Sequence, residues 1–374
     1  LSIICVVGTR PEVIKMAPVV RALRGQGIDA PVLATAQHRG MLDQMLSTFG
    51  LEPTWDLDAM SPNQTLATLT GSLVPSLEKI FIEAKPAAVL AQGDTTTVFC
   101  SALAAYYSGT PFGHVEAGLR SGDLQAPFPE EGMRRLTAVL AKWHFAPTEC
   151  ARAALQMEGV PDSHIHVVGN TVIDAVLDMA SQNDLPNLPI PPLNPQERLV
   201  LVTLHRRENF GAPLAAVLEA LRTFAEGHPE ARLLYPVHPN PNVKGPAESI
   251  LGNIPNIHLV PPMDYPVLVS ALKQSYLVLT DSGGLQEEGP ALGKPVLVCR
   301  DVTERPEAVQ AGGARLVGTD SDRILSALAC LWDNPEAYGA MATPRFPFGT
   351  GDAARQIADS LHKSLAETLA TFHL

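Results

Sequence analysis

Leu1-Ser-Ile-Ile-Cys-Val-Val-Gly-Thr-Arg-Pro-Glu12 sets the architecture of the chain. Residues 3–7 are a short, continuous apolar run. Gly8-Thr9-Arg10-Pro11-Glu12 follows, with Pro11 suited to a first helical turn and Lys15 one turn further on. The same alternation recurs along the whole sequence. Short apolar runs stand at 31–34, 87–91, 112–115, 144–146 and 165–168, then at 199–203, 233–237, 257–260, 277–280, 296–299 and 315–317. Between them lie stretches such as 95–107 and 214–225, whose apolar residues recur at helical spacing. Near-continuous apolar strands alternating with helices predict an α/β chain whose parallel sheets are covered on both faces.

The 374 residues suggest two domains or slightly more at about 150 residues each. Residues 183–195 hold five prolines, which predicts a stiff crossing between two halves or a loop just beyond it. We place an N-terminal Rossmann-like domain at 1–168, joined by a C-terminal helix at 360–374, and a second at 169–359. Ile357, Leu361, Leu365 and Leu369 share one helical face near the end, which could cap the second half or cross back onto the first.

A net charge of −12, with no basic run, argues against nucleic acid as a partner. Any anionic ligand must be held by a few placed cations. Cys5, Cys100, Cys150, Cys299 and Cys330 are scattered, with neither a Cys-x-x-Cys pair nor zinc spacing. Such a pattern reads as buried free thiols in a reducing compartment. The first residues have no basic region and too short an apolar run for a signal peptide. No stretch approaches the roughly 18 apolar residues of a membrane helix. The expectation is a soluble cytoplasmic protein without a membrane partner.

Ligands of open parallel sheets bind beyond the carboxyl ends of the strands, so the residues following each run matter most. They include Arg10 and Lys15, Gln92-Gly93-Asp94, Glu116 to Arg120, His205, His238, and Asp281-Ser282-Gly283-Gly284. The last of these, entering a helix, reads as a phosphate loop with Glu287 or Glu288 reaching ribose hydroxyls, or as a plain strand-to-helix turn. Glu130 and Glu131 open another helix, and Arg134 four residues after Glu130 gives an i,i+4 ion pair as the simplest reading. Asp94, Glu116 and Glu130 or Glu131 in one crevice would suit acid–base work; they could also hold a divalent metal, although no Asp-x-Asp pair is present. His205 and His238 at one sheet edge point to function, while His144, His164 and His166 read as structural. No Gly-x-Gly-x-x-Gly follows the first strand, which argues against a nicotinamide dehydrogenase of the usual kind.

Together these segments resemble the non-hydrolysing UDP-N-acetylglucosamine 2-epimerases of bacteria. The matching pieces are Gly8-Thr9-Arg10-Pro11-Glu12 with Lys15, Gln37-His38-Arg39, Gln92-Gly93-Asp94, His114-Val115-Glu116-Ala117-Gly118-Leu119-Arg120 and Pro129-Glu130-Glu131. Gly169-Asn170-Thr171, His205-Arg206-Arg207-Glu208, Asp281 to Glu288, Gly293-Lys294-Pro295 and Thr303-Glu304-Arg305-Pro306-Glu307 continue the match.

The resemblance implies two Rossmann-like, doubly wound domains facing a cleft, as in glycosyltransferase-B-like enzymes. It implies an isomerase that interconverts UDP-N-acetylglucosamine and UDP-N-acetylmannosamine through UDP elimination and re-addition, with no cofactor, no metal and a homodimeric state. Asp94, Glu116, Glu130 and His205 then belong to the catalytic group. Arg10, Lys15, Arg134, His238, Ser282, Gly283, Gly284 and Glu288 become substrate contacts, and Gln37, His38 and Gln64 an effector site. The match departs at Met133, commonly Asn in the family, at Ala138, often Asp, and at Gly40, polar in some members. The rivals are a glycosyltransferase of the same fold, a hydrolysing epimerase that releases N-acetylmannosamine, and a UDP-sugar-binding regulator without chemistry.

Overall fold

The computed structural model describes residues 1–35, 39–59 and 64–372. The chain forms two compact units, residues 1–175 with 348–374, and residues 176–347. In the first unit β1 (Ile3–Val7), β2 (Val32–Ala34), β3 (Pro53–Asp56), β4 (Ala88–Gln92), β5 (Phe112–Val115), β6 (Trp143–Ala146) and β7 (Ile165–Val167) pair in parallel, in the order β3-β2-β1-β4-β5-β6-β7. The second unit holds β8 (Arg198–Thr203), β9 (Ala231–Pro236), β10 (Ile257–Val260), β11 (Ser275–Thr280), β12 (Val296–Val298) and β13 (Ala314–Leu316). These also pair in parallel, in the order β10-β9-β8-β11-β12-β13. Helices connect most successive strands in each unit.

Burial explains why the central strands were legible. All five residues of β1 and of β4 are buried, as a strand covered on both faces requires. Only β3 escaped the apolar pattern. It starts with a proline, lies at the sheet edge and is largely exposed, where neither burial nor a full hydrogen-bond ladder is demanded.

The proline-rich stretch lies within the second unit, beyond the crossing rather than at it. The chain crosses between residues 175 and 176, inside the helix Thr171–Ser181, and returns between 347 and 348. Both points differ from the sequence-based 168/169 and 359/360, for a physical reason. The first turns of the helices at 171 and 353 are both bonded into the first unit. Asn170 N donates to Phe348 O at 2.6 Å, and the buried Asp174 carboxylate accepts Ala353 N and Ala354 N at 3.3 and 2.9 Å. The helix Ala353–Phe372 therefore returns to the first unit, with Ile357, Leu361 and Leu365 buried. It packs along the helix Arg10–Gly25, and Trp143 Nε1 donates to Ser364 Oγ at 3.1 Å.

In each sheet the chain first builds outward in one direction and then restarts on the other side of its first strand. That switch lies between β1 and β4 in the first unit and between β8 and β11 in the second. Loops leaving the carboxyl ends of such strand pairs diverge, which is where open α/β sheets bind ligands.

Candidate active site

In the first unit the loops at the switch point converge on two carboxylates. Glu116 follows β5 in a left-handed backbone conformation, φ +65°, which is unusual for a residue with a Cβ. Its side chain is buried and accepts from three segments: Lys15 Nζ at 2.6 Å, Asn170 Nδ2 at 2.7 Å and Gln92 Nε2. Asp94 follows β4 and pairs with Arg134, whose Nε and Nη2 approach Oδ2 at 2.9 and 2.7 Å.

The two acids stand on tripeptides that are tied together. Gln92 reaches Glu116, Gly93 N donates to Val115 O at 3.1 Å, and His114 Nε2 lies 2.7 Å from Gly93 O. Because Gly93 O can only accept, His114 carries its proton on Nε2. Burial lowers the His114 pKa to about 4, so the ring is neutral at pH 7.

Glu130 and Glu131 divide the work that the sequence left joined. Glu131 is fully buried and accepts from Ser121 N, Gly122 N, Arg134 and Arg135 at 3.0 to 3.3 Å. Burial alone would raise its pKa, but those donors outweigh it and hold the carboxyl below the usual range. Glu131 is therefore a clamp on the 121–122 loop. The i,i+4 pair of Glu130 with Arg134 does not form, because Arg134 turns to Asp94 and Glu131. Glu130 Oε2 is left buried without a hydrogen-bond partner among the described residues. A polar atom in that state fits a group that waits for a ligand.

Beneath these acids Glu12 caps the helix Arg10–Gly25. It accepts Gly8 N at 2.5 Å, Thr9 N at 3.1 Å and Thr95 Oγ1 at 2.6 Å. Burial outweighs those three bonds and pushes its pKa up to about 7, with Asp94 adding to the rise.

In the second unit Asp281 is the organiser. Fully buried, it accepts His205 N at 3.0 and 3.1 Å, Arg206 N at 2.9 Å and Asn209 Nδ2 at 3.2 Å. It thereby fastens the loop after β8 to the loop after β11 across the switch point. His205 Nδ1 lies 3.3 Å from Asp281, and the ring stacks near His238 at 6.3 Å between centroids. Partial burial lowers the pKa of His205, and Asp281 partly restores it. The His205 side chain keeps 41% of its surface exposed, enough to meet a ligand.

Ser282 N donates to Thr280 Oγ1 at 2.8 Å, and the helix that follows, Leu285–Ala291, is short. A Cβ on Gly283 would sit 2.9 Å from Arg305 Nη1, so glycine there lets the guanidinium lie against the loop. Glu287 pairs with that Arg305 at 2.5 Å, and Glu288 accepts from Tyr265 OH at 2.8 Å. Glu287 is thus committed to the arginine rather than to a ribose.

Among the described residues, no three His, Cys, Asp or Glu side chains gather as a metal site. No described helix is long and apolar enough to cross a membrane. Gln37 and His38 lie outside the described residues, while Gln64 stands half-buried just before the helix Leu66–Ala84. Arg10 opens its helix beside the first-unit loops. Sequence reasoning gave no role to Gln92, Asn170, Asn209, Tyr265 or Arg305. Gln92, Asn170, Asn209 and Arg305 stand in or beside quoted motifs but carry commonplace side chains, and Tyr265, which opens the helix Tyr265–Gln274, carried no signal.

A family profile described as UDP-N-acetylglucosamine 2-epimerase matches residues 21–362. The chain belongs to this family. A protein of that name from Escherichia coli is 47% identical over 371 residues, covering 96% of this chain and 98% of its own. The crystal structure of UDP-GlcNAc 2-epimerase from Neisseria meningitidis bound to UDP-GlcNAc aligns with a TM-score of 0.89 at 42% identity, over 97% of this chain and all of that one. The enzyme of Methanocaldococcus jannaschii, in complex with UDP-GlcNAc and UDP, aligns at 0.80 and 31% identity, over 97% of this chain and 100% of its own. A glycosyltransferase of kitacinnamycin, 14% identical with a TM-score of 0.69, shares the fold alone. The epimerase family thus stands on two α/β units of the glycosyltransferase-B kind.

The raised pKa of Glu12 has a measurable consequence. Folded, it keeps its proton up to about pH 7; with an ordinary value of 4.5 it loses that proton earlier when unfolded. Its contribution to stability is therefore complete below about pH 4.5 and fades as pH rises to 7, by roughly 2–3 kcal/mol. Glu12→Gln keeps an acceptor for the cap and removes the titration. Melting temperatures of the two proteins should diverge between pH 4.5 and 7, with the wild type falling faster. Parallel curves would show that the carboxyl is not held protonated.

Proposed function

We propose that this chain interconverts UDP-N-acetylglucosamine and UDP-N-acetylmannosamine by inverting C2. The carrying observation is the pair Asp94 and Glu116 on tied tripeptides at the ends of the neighbouring strands β4 and β5, each paired with its own cation, Arg134 and Lys15. The C2 proton is too weakly acidic to leave alone, so its removal must be coupled to departure of the diphosphate from C1. That chemistry calls for a positioned carboxylate on the sugar side and cationic donors on the phosphate side.

In this reading one of Asp94, Glu116 and Glu130 takes the C2 proton as the C1–O bond to UDP breaks, leaving a 2-acetamidoglucal. A proton then returns to the opposite face of C2 while UDP re-adds at C1. Arg10, Lys15 and Arg134 supply positive charge. Gly283 and Gly284 offer backbone donors to the diphosphate and Ser282 its hydroxyl, since the Ser282 N–H is taken by Thr280, with Glu288 and His238 close by. His205, with Nδ1–H on Asp281, serves as proton donor to the leaving group from Nε2 in its imidazolium form. No redox step occurs, so no nicotinamide is required.

All five cysteines are free thiols, in agreement with a cytoplasmic setting; Cys5, Cys100 and Cys299 are buried as the sequence suggested, whereas Cys150 is exposed and Cys330 half-buried. A homodimer accords with five exposed apolar side chains on three helices that pack side by side in the first unit. They are Ile82, Tyr106, Tyr107, Leu136 and Val139, the last 84% exposed.

Proton NMR in heavy water with UDP-N-acetylglucosamine tests the activity. The C2 proton signal should disappear as the manno isomer grows in, without added cofactor. Release of free sugar and UDP would instead mark a hydrolysing enzyme, and an unchanged spectrum with bound ligand would sink the proposal. In the same assay Asp94→Asn should lose roughly a hundredfold or more in turnover with UDP affinity within a few fold; full activity would remove Asp94 from the catalytic group. Sedimentation should find a dimer that Val139→Glu converts to a monomer. A wild-type monomer would refute the dimer.

A further inference from the structure

The chain leaves the first unit through the helix Thr171–Ser181, and Asn170, directly before it, is 2% exposed. Its amide orientation is determined by chemistry. Val172 N can only donate, and it lies 3.2 Å from Oδ1, so Oδ1 faces the backbone as a helix cap. Nδ2 must then face Glu116 Oε1, 2.7 Å away, where a carboxylate can only accept. The backbone of Asn170 is pinned as well, since its N–H reaches Phe348 O at 2.6 Å on the returning strand of chain.

Gly169 lets the two passages approach so closely. A Cβ there would stand 2.8 Å from Phe348 O and 2.9 Å from Gly349 Cα, at a φ of +92°. Asn170 is thus fixed from the cap, from the returning chain and from Glu116 at once.

Glu116 needs such a partner. A non-glycine residue in the left-handed region costs on the order of 1–3 kcal/mol and persists only where its surroundings over-determine it. Lys15 and Gln92 reach it from the helix after β1 and from the end of β4. Asn170 joins them from the start of the helix through which the chain leaves the first unit. We propose that Asn170 is a positioning residue for the C2 reaction, whose amide holds the Glu116 carboxylate in its working orientation and ties it to the crossing segment. The proposal rests on the epimerase reading above. It makes the Asn170 bond to Glu116 functional, where the bond to Val172 is structural.

Asn170→Ser separates the two bonds. A serine hydroxyl still caps Val172 N but is too short to reach Glu116. The variant should melt modestly lower for the donor lost to a buried carboxylate, keep its UDP affinity within about threefold by calorimetry, and lose roughly ten- to a hundredfold in kcat for C2 exchange. Asn170→Ala, which loses the cap as well, should lose the same factor in kcat and melt lower still. In a Glu116→Gln background the serine substitution should cost little more, because the carboxylate it positions is gone.

Asn170→Ser with wild-type kcat, or losses that multiply in the Glu116→Gln background, would overturn the inference while the wild type still epimerises. A fall in kcat that follows the melting temperature across the variants would also overturn it, in favour of a cap alone. A wild type that exchanges no C2 proton would overturn the epimerase reading, and the inference with it.

Discussion

A carboxylate removed from water has to be met by donors, and the first unit is arranged around meeting one. Glu116 sits at the carboxyl end of β5, and its partners come from the helix after β1, from the end of β4 and from the chain's exit. Each partner is in turn fixed by the sheet or helix that carries it. Burying an ion without such company costs several kcal/mol, so sequence changes at Lys15, Gln92 or Asn170 act on the same balance. The left-handed backbone at Glu116 adds strain that the same bonds must offset.

The second unit solves an analogous problem with a different acid. Asp281 is buried beside backbone N–H groups of the loop after β8, and it satisfies them rather than pairing with a lysine or arginine. That choice fastens the loop to the end of β11 and leaves His205 partly exposed with its Nδ1 turned to the carboxylate. One acid is thus held by donors from several segments, and the other holds the donors of a loop. Both arrangements occupy switch points of parallel sheets, where strand geometry leaves diverging loops and free backbone groups.

Legibility followed locality. Strands such as β1, β4 and β11 were evident because burial on both faces forces an unbroken apolar run, while β3, a short exposed edge strand beginning at Pro53, had no such pressure. Asp94, Glu116 and His205 were evident because charged groups stand out at the ends of apolar runs. Glu131 was harder to assign. In sequence it is the twin of Glu130, yet only one of the pair is spent on clamping a loop.

By itself the sequence determined the two parallel sheets, the strand ends that carry charged and hydrogen-bonding groups, and the family, since each is written in residue types at short spacing. Only the tertiary structure decided which side chains meet. Asn170 and Lys15 reach Glu116 from 54 and 101 residues away, Arg134 chooses Asp94 over Glu130, and the final helix folds back onto the first unit. The physical reason is that periodicity and turn chemistry are properties of neighbours along the chain. The partner of a buried polar group is chosen among whatever the sheet brings within hydrogen-bond reach.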